Sequence, residues 1–305
     1  MNKYIVGLPV LLIIGLVALV AGNKGIPGME SGKLRVATSF YPLYFFATEI
    51  GGDKVQVTNI TPAGAEPHDY EPTGQDMARI ESSSVVILNG GELETWGETI
   101  KENLEPKETI IVTASEGLAT EQAEEGGKTI IDPHMWLSPP LVKQMVDKIA
   151  EALITSDIAN AAYYASNANA LKVKLDELDN TYKAGLATCE SKDIITSHAA
   201  FTYLASAYGL RQISITGISP DAEPSSQELG KVAAFAKENK IKYIFFESLV
   251  SPKLSETIAA EIGAKTLVLN PIEGLSSEEI AKGNDYFTEM RNNLTNLQIA
   301  LQCTT

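Results

Sequence analysis

The sequence predicts an α/β protein made of two doubly wound parallel-sheet domains linked by one long backbone helix. Three observations carry that expectation. Short apolar runs alternate with helical segments from Leu34 onward, the same alternation returns after residue 190, and a long stretch with apolar residues at helical spacing separates them. Strands that alternate with helices pair in parallel, and the helices cover the sheet.

In chain order, LRVAT reads as a strand, YPLYFFATEIGG as a helix ended by glycines and VQVTNI as a second strand, which together make a βαβ unit. QDMARIESS followed by the apolar run VVILNG repeats the pattern. After residue 190 come DIITSH, AAFTYLASAYG, QISIT, QELGKVAAFAKENK, YIFFES, SPKLSETIAAEIG and TLVLN. The second half of the stretch from Ser138 to Ala187 contains ANAAYYASNANALKVKLDELDNTYKAGLA, which lacks Pro and reads as the linking helix. Residues 119–129 (ATEQAEEGGKT) have no periodicity and read as an exposed acidic loop. The expected division is an export segment at 1–22, a linker at 23–33, an N-terminal lobe at 34–155, the linking helix at 156–187 and a C-terminal lobe at 188–305.

Composition narrows the function. With 305 residues and 44% hydrophobic content the chain can bury two modest cores. A net charge of −15, with 24 Lys and Arg, argues against a nucleic-acid partner. Lys3, the apolar run Tyr4–Ala21 and the small residues Ala21 and Gly22 read as an export signal. The run approaches the roughly 20 residues that span a bilayer, so a cleaved signal peptide and a retained N-terminal membrane anchor both remain open. No Cys follows it, which excludes lipid attachment at this point. Cys189 and Cys303 are the two cysteines, an even number in a chain expected to be exported, and they allow one disulfide.

All three histidines lie at strand ends or in loops: His68 in AGAEPHDYEPT, His134 in IDPHMWLSP and His198 in IITSHAAF. In open α/β sheets such loops converge beyond the carboxyl ends of the strands, where ligands bind. Neutral imidazole is a common ligand of zinc and related divalent metals. Asp69, Asp132 and Glu247 lie near these motifs and read as solvated groups or as carboxylates that orient a ligand histidine. Trp96 and Trp136 read as packing residues.

From Leu34 to its C-terminus the sequence resembles the substrate-binding proteins of zinc and manganese ABC importers. The resemblance rests on TSFYPLYFFATEIGGD, GAEPHDYEPTGQD with NGGELETW downstream, DPHMWLSP, ITSHAAFTYLASAYGL, and FFESLVSPK leading to LVLNPIEGL. It implies two small α/β lobes bridged by a long helix, a metal held between them by one residue from each of four loops, and delivery to a membrane permease driven by a cytoplasmic ATPase. It also implies an extracytoplasmic receptor, peripheral to or anchored at the membrane and acting as a monomer.

Carried over residue by residue, the resemblance makes His68, His134 and His198 metal ligands. It leaves the fourth open among Asn270, where many relatives have an aspartate, Glu273, Glu66 and water. An amide carries no negative charge, which favours a carboxylate or water, and Glu66 or water comes first because Glu66 stands beside a ligand. Three imidazoles suit zinc better than manganese, the alternative metal. A zinc hydrolase would need a general base, and no H-E-x-x-H helix is present; a metal-dependent adhesin on the same fold is the other alternative.

Overall fold

In the computed structural model, β1 (Leu34–Thr38), β2 (Val55–Asn59), β3 (Val85–Leu88) and β4 (Ile110–Thr113) form a parallel sheet in the order β2-β1-β3-β4. The structure describes residues 32–91, 93–104, 108–118, 120–125 and 128–304. The expected export segment lies outside the described residues. Among the described residues, no helix is long and apolar enough to cross a membrane.

Every residue of the VVIL run of β3 is buried, as a central strand covered on both faces requires, whereas the edge strand β4 is half-buried. Three helices, α1 (Tyr41–Gly51), α2 (Gly74–Glu81) and α3 (Gly97–Leu104), follow the first three strands. The first begins with Pro42 in its first turn and ends at Gly52, whose φ of 51° suits a residue without a side chain. Strand order reverses between β1 and β3, and this opens a crevice at their carboxyl ends.

The segment expected to be an acidic loop is instead an antiparallel hairpin, β5 (Gln122–Glu125) with β6 (Lys128–Ile131). Its base is closed by the Asp132 N–H donating to the Glu121 carbonyl at 3.1 Å. The Glu121 N–H donates to the Tyr203 hydroxyl at 3.2 Å. That distant anchor overrides the weak local pattern and delivers Asp132 and His134 to the crevice.

Two antiparallel helices follow, α4 (Pro139–Ser156) and α5 (Ala161–Gly185), joined by a tight turn over Ile158–Asn160. The long helix therefore begins later than expected, because the chain turns at Asp157, which accepts hydrogen bonds from Asn160 and Tyr164, both at 2.7 Å. Its buried stripe, Tyr164, Ala168, Leu171, Leu175, Leu178 and Tyr182, keeps the three-and-four spacing of an amphipathic helix.

The second half repeats the grammar of the first. It contains β7 (Asp193–Thr196), α6 (Thr202–Tyr208), β8 (Arg211–Ser214), α7 (Ser226–Glu238), β9 (Tyr243–Phe246), α8 (Lys253–Ile262), β10 (Lys265–Val268), α9 (Ser277–Ala281) and α10 (Tyr286–Leu301). Parallel pairs β8–β7 and β9–β10 lie with β7 beside β9. The expected disulfide is present: Cys189 bonds Cys303 and ties the end of α10 to the start of this half.

One apolar core runs through both halves, from Phe40, Phe46 and Trp136 to Tyr182, Phe201 and Tyr286. Tyr182 on α5 donates its hydroxyl to the Met290 carbonyl of α10 at 2.6 Å. Residues 32–305 accordingly form one compact unit.

Candidate metal centre

Four loops supply the site. His68 follows β2, in a loop pinned to α2 by Tyr70, whose hydroxyl donates to Asp76 at 2.8 Å, and by the Thr73–Asp76 capping box. Trp96 fixes the same loop by donating to the Tyr70 carbonyl at 3.1 Å. His134 follows β6; Asn89, at the end of β3, donates to the Pro133 carbonyl at 3.0 Å and so holds the loop over the switch point. His198 follows β7, and its carbonyl accepts from Thr196 at 2.7 Å and Gln212 at 3.0 Å. The fourth loop, after β10, brings Glu273.

The Nε2 atom of His134 lies 3.2 Å from that of His68 and 3.3 Å from that of His198. Glu273 Oε1 lies 3.1 Å from His134, 3.4 Å from His68 and 3.3 Å from His198. These distances match the edges of a tetrahedron around zinc, which are about 3.3–3.4 Å for bonds of about 2.0–2.1 Å. His134, His198 and Glu273 are buried, and the His68 side chain is only 7% exposed. The second oxygen of Glu273 is buried without a hydrogen-bond partner, so the carboxylate gains its compensation from whatever the four donors enclose.

The sequence matches the family described as zinc-uptake complex component A, periplasmic, over residues 36–300. The chain belongs to this family. The high-affinity zinc uptake system protein ZnuA of Bacillus subtilis is 39% identical over 97% of either chain. Among solved structures, the Zn(II)-bound ZnuA-like domain of Streptococcus pneumoniae AdcA is 37% identical, with a TM-score of 0.78 over 88% of this chain and 99% of that domain. The laminin-binding protein Lmb of Streptococcus agalactiae, described as a bifunctional protein with adhesin and metal transporting activity, is 34% identical with a TM-score of 0.79 over 88% of this chain and 99% of that one.

In this member of the zinc-uptake family each buried histidine is backed by a carboxylate. Asp132 accepts from His134 Nδ1 at 2.8 Å and from its backbone N–H at 2.9 Å. Glu247 accepts from His198 Nδ1 at 2.6 Å and also from the Ser197 hydroxyl. A carboxylate that takes the Nδ1 proton directs the Nε2 lone pair to the centre and makes it more basic.

Charge follows from this packing. Burial lowers the His68 imidazole below its ordinary value. It acts the same way on His134 and His198, but Asp132 and Glu273 raise the first, and Glu247 and Glu273 hold the second well above that value. Burial works to raise Glu273, yet the three imidazoles hold it well below the usual carboxylate range.

The remaining candidates are not among the four converging donors. Glu66 is turned back on its own loop, accepting the His68 N–H at 3.3 Å, and burial together with the Glu273 charge pushes its carboxyl up to about 9. Asn270 faces away from the histidines. Its Oδ1 accepts the Ile272 N–H at 2.8 Å, and its Nδ2 donates to Ser248 at 3.1 Å and Glu279 at 3.0 Å. The fourth group brought to the histidines is thus Glu273, where the sequence favoured Glu66 or water. Asp69 meets Asp221, whose hydrogen bond, with burial, raises it to about 6.

Proposed function

We propose that this chain captures zinc outside the cytoplasm through His68, His134, His198 and Glu273, and hands it to the permease of an ABC importer driven by an ATPase. Four donor atoms at tetrahedral spacing, in a buried pocket, carry the reading. Zinc is cargo here. A closed set of four protein ligands leaves no position for an activated water, which distinguishes such a site from catalytic zinc. Three nitrogens and one oxygen also suit zinc better than manganese, which prefers oxygen ligands and a larger shell.

Asp132 and Glu247 fix the two buried imidazoles before the ion arrives, so binding spends little on ordering the site. Release then requires the permease to disturb a ligand loop, because affinity depends on all four donors meeting at one point. The test is metal analysis of protein purified without added metal, followed by competition between zinc and manganese at equal free concentration. One equivalent of zinc, displaced poorly by manganese, is the expected result. A preference for manganese would contradict the ligand set.

A further inference from the structure

Glu273 stands next to a residue whose backbone is disfavoured. Ile272 has φ of 59° and is buried; the left-handed region is unfavourable for a β-branched side chain and persists only where its surroundings impose it. Those surroundings are polar and specific. The Asn270 side chain takes the Ile272 N–H at 2.8 Å. Asn293 on α10 clamps the Asn270 backbone from both sides, accepting its N–H at 2.8 Å and donating to its carbonyl at 2.6 Å. Trp136 donates to the Pro271 carbonyl between them at 2.7 Å.

Asn270 therefore uses both ends of its amide. While Oδ1 holds Ile272, Nδ2 reaches Ser248, the neighbour of Glu247 that backs His198, and also Glu279. An aspartate at 270 could accept from Ile272 and from the Ser248 hydroxyl, but it could not donate to Glu279 and would set a second carboxylate against it. This requirement for both a donor and an acceptor gives a physical reason for an amide at a position that is not a ligand.

We propose that Asn270 is the positioning residue for Glu273: anchored by Asn293, it imposes the left-handed turn at Ile272 that aims the carboxylate at the three imidazoles. The inference rests on the reading of Glu273 as a zinc ligand. If Asn270 acts through Glu273, the two must be energetically coupled, which a double-mutant cycle on the full chain measures. The readout is zinc affinity of Asn270→Ala, Glu273→Ala and the double variant, each first depleted of metal.

The expected result is that Glu273→Ala loses affinity, that Asn270→Ala loses at least about tenfold in the parent, and that it loses less than about twofold when Glu273 is already absent. Equal losses in the two backgrounds, or no loss in the parent, would overturn the proposal. Parental affinity in Glu273→Ala would instead remove Glu273 from the ligand set, and so separates failure of the functional reading from failure of this one. Should Asn270→Ala not fold, Asn293→Ala takes its place in the same cycle with the same expected coupling.

Discussion

Trp136 donates its indole N–H to the Pro271 carbonyl at 2.7 Å. A residue two positions after His134 thereby holds a residue two positions before Glu273. Trp136→Phe keeps most of the ring but leaves that carbonyl unpaired in the core, at a cost of about 1–3 kcal/mol. Denaturant unfolding should show this loss, and zinc affinity should fall with it. Parental stability would mean that the carbonyl finds water.

Replacing His68, His134 or His198 by Ala, or Glu273 by Gln, should each lower zinc affinity more than about tenfold, since each weakens the proposed four-ligand shell. Glu66→Gln should stay within a few-fold of the parent, because its carboxyl serves its own loop. Isothermal titration against a competing chelator resolves the two classes. A loss for Glu66→Gln equal to that for Glu273→Gln would reverse their roles.

Asp132→Asn and Glu247→Gln preserve shape while removing the charge behind His134 and His198. Both should reduce zinc affinity by about 10–100-fold with little change in circular dichroism. Unchanged affinity in either would show that packing alone orients that imidazole.

The Cys189–Cys303 bond has a sequence separation of 114 residues. In the chain-entropy model a loop of that size contributes about 4–5 kcal/mol. Replacing both cysteines by Ser should lower the thermal midpoint while leaving the zinc stoichiometry alone, because the bond joins the end of α10 to the segment before β7 and includes none of the four converging donors. Two thiols titrating in the oxidised, folded protein would contradict the bond.

Asp76 supplies a pH test. Burial works to raise its carboxyl, but hydrogen bonds from Thr73, Tyr70 and Arg79 outweigh it and hold the group below its ordinary value. A depressed carboxylate stabilises fully above its unfolded value of about 3.9 and loses that contribution as pH falls through the folded value. Asp76→Asn should therefore cost stability at neutral pH, with the cost shrinking below about pH 4. Melting curves across that range decide; a pH-independent cost would assign the effect to shape.

The alternating strands and helices were readable because each carries its own periodicity, and the three histidine loops because imidazoles stood at strand ends. The hairpin was hidden: its anchor, Tyr203, lies 82 residues from Glu121. Glu273 is among the candidates the sequence offers but stands below Glu66 there, for a similar reason. Nothing local announces that Ile272 turns left-handed, since that depends on Asn293 from α10. Proximity in sequence favours Glu66, yet a side chain two residues from His68 can fold back on the His68 N–H, as it does here.

The uninterrupted core has a kinetic meaning. Swinging the halves apart would separate Phe46 from Tyr286 and Tyr182 from Met290, exposing large apolar surfaces to water. Moving the loop that carries His68, whose side chain still reaches solvent, disturbs instead the hydrogen bonds of Glu66 and Tyr70 and the packing of Tyr70 on a smaller cluster. An ion that leaves by way of that loop need not break the core that joins the two halves.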